Sequence, residues 1–362
     1  MPAPRALSVI VPVRNGSATL ARTLSAILNS ELRRDSYELI VVDDASEDGS
    51  PEFAARYADT VVRLSGRSCG SAYARNRGAE LAQGEILAFV DADAMVRPNT
   101  LAEMLRILSD HPALDAVAAS HDPTAGANNL VSQYWNLMLH FGEISHAGTS
   151  ANVASPCAAI RRSVFIAAGM FDEWRFGSAS LEGLELGGRL EDSGREVLSP
   201  RHLEAVGLKR WNVRLLCGEV WNRSVLLSRS LGYQRTRIAV PSEVVFTLSR
   251  PLRPVFAVGC VLAFSAAFFP QPAVAIKLGM ILLGGIVVNF PEFLFFVRAR
   301  GIPFAIAVTP LHSLIQAVNA IGLVAGWVLR DAVGDREPDA ATQAYAEVGV
   351  ETWPPVPRAS GR

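Results

Sequence analysis

The chain has little cysteine and no excess of either charge. Its 362 residues hold four cysteines, Cys69, Cys157, Cys217 and Cys260, all far apart. That spacing excludes the paired short motifs of a zinc cluster or a redox dithiol and leaves small buried apolar residues. The formal net charge is −1 with 19% charged residues, so nothing in the overall balance calls for nucleic acid as a partner. Any anion site must be local. No secretory signal opens the chain, since the apolar run Leu7 to Val13 is shorter than a signal core and leads directly into a globular pattern. The expectation is therefore an N-terminal part in a reducing cytosol. No internal repeat or low-complexity tract interrupts it.

Charge is also scarce locally, and there the scarcity is informative. From Pro254 to Leu329 the charged residues are Lys277, Glu292, Arg298 and Arg300. Apolar segments fall at Val255–Phe269, Leu278–Val297 and Ile302–Leu329. A helix needs about 20 apolar residues to cross a bilayer, a length the second and third reach. Pro310, His312 and Gln316 leave the third open between a span and an amphipathic helix on the surface, and Gly322 with Gly326 has a small-residue spacing suited to helix contact. Arg250 and Arg253 before the first segment and Arg298 and Arg300 after the second put the N-terminal domain on the cytoplasmic side of a cell membrane. Residues 331–362, rich in Pro, Ala and acidic residues, read as a disordered tail.

What the first 240 residues do have is alternation of apolar β-branched runs with amphipathic stretches, the pattern of an α/β sheet with crossover helices. Strands are expected at Leu7–Val13, Glu38–Asp43, Thr60–Leu64, Glu85–Asp91 and Leu114–Ser120. Ser17 is expected to cap a helix over Ala18–Leu28, Ser50 with Pro51 to open a second, and Pro98 to sit at the first turn of the Asn99–Leu108 helix. Beyond Ala127 the pattern gives a helix through Phe141, a strand near Ala158–Ile160 and a helix at Glu182–Ser193 closed by Gly194.

Chemistry concentrates where strands end. Phe89-Val90-Asp91-Ala92-Asp93-Ala94 sets two carboxylates one residue apart at a strand's carboxyl end, where open α/β sheets bind ligands. Two hard oxygen ligands there suit Mn²⁺ or Mg²⁺ shared with a diphosphate. Pro12-Val13-Arg14-Asn15 ends the first strand and Asp43-Asp44-Ala45-Ser46 the second, beside the same edge. Arg75 and Arg77, in Ala74-Arg75-Asn76-Arg77-Gly78, can reach phosphates.

These four segments, in this order and spacing, resemble the family 2 glycosyltransferases of the GT-A fold. The likeness continues through Cys157-Ala158-Ala159-Ile160-Arg161-Arg162, Gly169-Met170-Phe171-Asp172-Glu173 and Leu208-Lys209-Arg210-Trp211, and the membrane C-terminus is similar to a bacterial branch of that family. It implies an inverting, metal-dependent transfer from a nucleotide-diphosphate sugar, a UDP-sugar first, to a lipid-linked or otherwise membrane-proximal acceptor. Pro12, Val13, Asn15, Asp43, Asp44, Arg75 and Asp91 would bind the nucleotide. Asp91 and Asp93 would hold the metal, with Lys209, Arg210, Trp211 and Glu185 on the acceptor side.

The chain departs from the family at two catalytic positions. Relatives carry Glu-Asp where Glu182-Gly183 stands, so the expected base is a glycine. They carry His-Leu-Lys-Arg-Trp where Gly207-Leu208-Lys209-Arg210-Trp211 stands, so an imidazole is missing too. Glu182 is the candidate displaced base, although one residue on a helix turns a side chain by about 100°. Glu185, four before Arg189, is also placed for an ordinary ion pair. A homologue impaired in catalysis, binding sugar nucleotide or acting as a membrane scaffold, is the alternative these glycines raise.

Overall fold

A computed structural model describes residues 5–145, 153–154, 156–173, 181–233, 289–333 and 348–353. Among them the strands are β1 Leu7–Val13, β2 Tyr37–Asp44, β3 Thr60–Ser65, β4 Ile86–Val90, β5 Ala94–Val96, β6 Ala116–His121, β7 Cys157–Arg161, β8 Val197–Leu198, β9 Glu204–Gly207 and β10 Gly349–Trp353. The helices are α1 Leu20–Leu28, α2 Ser50–Ala54, α3 Ser71–Leu81, α4 Thr100–Asp110, α5 Leu130–Ser145, α6 Arg162–Ala167, α7 Glu182–Asp192, α8 Val213–Tyr233, α9 Phe290–Arg300 and α10 Ile302–Val333. Each strand and helix expected before residue 200 is present, with ends shifted by up to four residues.

The sheet runs β10-β3-β2-β1-β4-β7-β6-β9-β5, with β8 beside β6. Strands β3, β2, β1 and β4 are parallel, because each link crosses over through a helix. β7 runs antiparallel to both β4 and β6. Alternation along β1 sets the two layers. Leu7, Val9, Val11 and Val13 pack with Leu20, Leu24 and Ile27 of α1 and Leu101, Met104 and Leu108 of α4. Ile10 points to the other face, toward Ala72, Ala74 and Ala79 of α3 and Leu186 and Leu190 of α7. Gly78 lets α3 lie close: a Cβ there would sit 2.5 Å from Ile10 Cγ2.

A second layer is helical. Tyr134 and Leu137 of α5, Leu216 and Val220 of α8, Phe296 of α9 and Ala305, Val308 and Ile315 of α10 form one apolar cluster. Gly322 and Gly326 do face α8, since Cβ atoms there would lie 2.8 Å from Ser224 Cβ and 2.4 Å from the Val225 carbonyl oxygen. Ser224 Oγ bonds Asn319 Oδ1 at 2.6 Å across the same seam. By packing, α8 thus belongs with the helical layer, although it precedes the boundary expected at residue 240.

Three expectations need correction. Ser17 caps nothing: α1 starts at Leu20 after Thr19, and the Ser17 N–H instead donates to Asp48 Oδ2. Pro98 does not lie in the first turn of α4, because Asn99 stands at the cap and the helix starts at Thr100. Of the segment Leu278–Val297, residues 278–288 lie outside the described residues; within the described part a helix begins at Phe290 with Pro291 in its first turn and runs beyond Val297 to Arg300. Within the tail, Gly349–Trp353 pairs antiparallel with β3 from Val61 to Ser65, so this part is an edge strand. Val255–Phe269 lies outside the described residues.

Candidate functional site

The carboxyl ends of β1, β2 and β4 meet at one edge, and cross-links between loops hold that edge. Asn15 and Ala45 follow β1 and β2 with φ of 49° and 56°, a left-handed backbone that side-chain-bearing residues adopt only when neighbours impose it. Here the neighbours are each other: the Asn15 N–H donates to Ser46 Oγ at 2.9 Å, and the Glu47 N–H donates to Asn15 Oδ1 at 2.9 Å. The Gly16 N–H adds a bond to Ser50 Oγ at 3.0 Å. Pro12 and Val13 are buried just before this turn.

Asp43 and Asp44 end β2 and do different things. Asp44 accepts from Ser68 Oγ at 2.6 Å, the Cys69 N–H at 2.7 Å and the Gly70 N–H at 2.9 Å, which fixes the entry to α3. Asp43 is fully buried. One of its oxygens accepts from the Ser46 N–H at 3.3 Å; the other, Oδ1, has no hydrogen-bond partner. Burial pushes its carboxyl above the usual range, against the pull of Ser46 and Arg63. An orphaned buried acceptor at a ligand edge is an opening for a donor group.

Arg75 is the hub. Buried on α3, it donates to Asp91 Oδ1 at 2.6 Å and to Glu182 Oε1, which also accepts from Ser71 Oγ. Glu182 is 1% exposed, and its Oε2 has no partner. The residue taken from sequence as a displaced base is therefore the anchor of an arginine. Glu185 makes the ion pair its spacing suggested: its carboxylate holds Arg189 at 2.7 and 2.8 Å, and Arg189 also donates to the carbonyls of Ala168 and Met170, which fastens α7.

Asp91 and Asp93 sit in the turn after β4, closed by the Ala94 N–H to the Asp91 carbonyl at 2.9 Å. Burial and then the Asp91 charge push Asp93 above the usual carboxylate range, with Lys209 and His121 pulling it back. Two carboxylates one residue apart in this turn are a donor set for a hard divalent cation, and Mn²⁺ or Mg²⁺ fits them. Among the described residues no three His, Cys, Asp or Glu side chains cluster closely enough to form a metal site by themselves. The remaining ligands of such an ion would come from substrate and water.

Lys209 Nζ lies 4.0 Å from the centre of the Trp211 ring, and Arg210 is exposed beside it. His121, which sequence reasoning passed over, ends β6. Its Nδ1 is 2.8 Å from Glu143 Oε1 and its backbone N–H donates to Glu143 Oε2 at 2.6 Å. Nothing local could have singled it out, since β6 reads as an ordinary buried strand.

Residues 8–169 match glycosyl transferase family 2. A putative glycosyltransferase, EpsH of Bacillus subtilis, is 34% identical over 30% of this chain and 32% of its own length. Glycosyltransferase AglE of Haloferax volcanii is 36% identical over 24% of this chain and 30% of its own. The chain thus spans about a third of the length of these curated relatives. Among solved structures, the mannosyltransferase PcManGT from Pyrobaculum calidifontis, in complex with GDP-Man and Mn²⁺, superposes with a TM-score of 0.54 at 20% identity, over 92% of this chain and 88% of that one. That likeness shows a shared fold, a largely parallel α/β sheet of the GT-A kind.

Proposed function

We propose, from the match of residues 8–169 to glycosyl transferase family 2, that the chain transfers a sugar, with inversion, from a nucleotide-diphosphate donor to a membrane-proximal acceptor. The observation that carries this reading is the Asp91/Asp93 pair beside the loops of β1 and β2 and the buried Arg75. A UDP-sugar is the first donor to try, with Asp43 Oδ1 open to a base N–H or a ribose hydroxyl. Asp44 supports that pocket by holding residues 68–70, while Arg75 fixes the direction of Asp91. Asp91 and Asp93 would hold Mn²⁺ or Mg²⁺, which when bound supplies positive charge to the departing diphosphate. Lys209 adds charge from the other side of Asp93.

The acceptor follows from what is missing. A hydroxyl must lose its proton as it attacks, and a positioned base contributes about 10²–10⁴-fold. Gly183 offers none, and Glu182 is committed to Arg75. A polyprenyl phosphate is already an anion and needs no base, and Lys209, Arg210 and Arg214 supply positive charge for its phosphate.

The helical layer supports a membrane site. From Ile302 to Leu329, α10 carries no formal charge and is long and apolar enough to cross a bilayer. Its polar residues Thr309, His312, Ser313, Gln316 and Asn319 are buried, whereas Ile321, Val324, Trp327, Val328 and Leu329 are exposed. Polar inside and apolar outside is the arrangement lipid favours. Arg298 and Arg300 at the end of α9 suit a cytoplasmic catalytic face; Arg300 also donates to Gln133 Oε1 at 2.8 Å.

Transfer assays with polyprenyl phosphate and with lipid-linked saccharides, in wild type and Glu182→Gln, test the reading. Transfer to the phosphate by both proteins is expected. Transfer to hydroxyl acceptors alone, lost in Glu182→Gln while donor binding persists, would assign the base to Glu182 instead.

A further inference from the structure

Resting on that reading of the site, we infer that His121 binds the diphosphate of the nucleotide donor, presenting Nε2–H from a ring oriented by Glu143 into space left open by Gly207.

Three observations converge. First, the ring's orientation is determined. An ionised carboxylate only accepts, so Nδ1 carries the proton that points to Glu143, and both Glu143 oxygens are used on the ring and backbone of His121. His140 Nδ1 approaches the His121 carbonyl at 2.6 Å and clamps the same residue from behind. Nε2 is left without a hydrogen-bond partner among the described residues, on a side chain that is 13% exposed.

Second, the free edge lies beside Gly207, on the strand that pairs with the one following the carboxylate turn. A Cβ built on Gly207 would lie 3.7 Å from His121 Cδ2, the carbon bonded to Nε2. Gly207 pairs with Ala94, the residue after Asp93, and the next N–H, that of Leu208, donates to the Asp93 carbonyl at 2.7 Å. The imidazole edge, Gly207 and Asp93 are therefore consecutive neighbours across β6, β9 and β5. Asn136 Oδ1 occupies the remaining room, 2.8 Å from where a Cβ at 207 would stand, so a larger side chain at 207 and the present His121–Asn136 arrangement exclude one another.

Third, the charge is right. Burial works against a charged imidazole, but Glu143, with Asp91 and Asp93 behind it, outweighs burial and holds His121 above the ordinary histidine range. A purely structural histidine would be satisfied by Glu143. This one leaves Nε2 unused beside Gly207, the strand partner of the residue that follows Asp93.

The test is calorimetry on the full chain in detergent with Mn²⁺, comparing UDP with uridine and GDP with guanosine. For whichever nucleotide the wild type binds, His121→Phe keeps the ring volume, removes the N–H, and is expected to weaken the diphosphate about tenfold or more. Affinity for the matching nucleoside should not change. His121→Gln, which keeps an N–H donor at similar reach, should stay within about threefold of wild type on the same grounds. The triple variant His121→Phe, Asn136→Ala, Gly207→His moves the imidazole to the neighbouring strand and should recover most of the loss. Equal diphosphate affinity in His121→Phe would overturn the inference, as would parallel losses of nucleoside and diphosphate or a Gln variant as weak as Phe. Wild type that binds neither nucleotide would overturn the proposed function along with it, whereas binding that ignores His121 overturns this inference alone.

Discussion

The sheet domain and the helical layer obey opposite rules. In the sheet, β1 is buried along its whole length and the charged groups gather at one edge, where Arg75, Asp91, Asp93 and Glu182 hold or repel one another. In the helical layer the polar groups are inside. Tyr134 Oη meets His312 Nδ1 at 3.0 Å, and Gln316 Nε2 lies 2.8 Å from both Asn289 Oδ1 and His312 Nε2, while Trp327 and Val324 are more than 60% exposed. The difference is the one expected under the proposed function, with water as the solvent that organises the first part and lipid the one that suits the second. Each is held to the other through α5, whose Tyr134 and Trp135 pack in the helical cluster while its Glu143 reaches His121.

The sharpest way to break this picture is at the edge. Asp93→Ala should remove metal-dependent nucleoside-diphosphate binding by about 100-fold or more, since even groups supporting a metal ligand are worth 10–100-fold. Its circular dichroism should match wild type. Unchanged affinity in the presence of Mn²⁺ would remove the basis for a metal at this site.

Next is the arginine hub. Arg75→Ala leaves Glu182 as an uncompensated buried charge and should cost about 3–5 kcal/mol in urea unfolding. Arg75→Leu with Glu182→Leu should recover much of that stability and none of the nucleotide binding. If the single and double variants unfold alike, the pair is not what holds α3 to α7.

In the helical layer the contrast predicts different penalties for the two faces of α10. Gly326→Leu drives a side chain into the backbone of α8 and should cost about 1–3 kcal/mol, read as thermal stability in detergent. Val324→Asp with Trp327→Asp should hardly change that stability, yet should move protein from the membrane pellet to the supernatant. Equal stability loss from both sets would mean the outer face is packed against protein.

The smallest effect is expected at Asp43. Its folded-state carboxyl is raised above the unfolded value, so its charge weighs against the free protein once pH exceeds both values and is absent below the unfolded value, about 3.9. Asp43→Asn should therefore raise the apparent melting temperature by a few degrees at neutral pH, and this gain should vanish as pH falls below that point.

Much of this was legible locally. Alternation of Val and Ile located β1 and β2, Gly-Glu-Ile-Leu-Ala-Phe-Val followed by Asp91 and Asp93 located β4 and its turn, and the loss of charge after Pro254 marked α9 and α10, though not α5 and α8, which join the same layer. These signals depend on neighbours a few residues apart, so period and composition suffice. The partners of individual side chains were decided only by tertiary structure. Glu182 looked like a spare base until α7 was seen to place it on Arg75, more than 100 residues earlier. Gly207 looked like a lost imidazole until β9 lay beside β6 and brought His121 to it. The stretch Gly349–Trp353, in a tail too polar to suggest order, became a strand because β3 offered an unpaired edge. Short-range pattern selects elements, whereas the pairing of strands far apart in sequence selects which charges meet, and no local period encodes that choice.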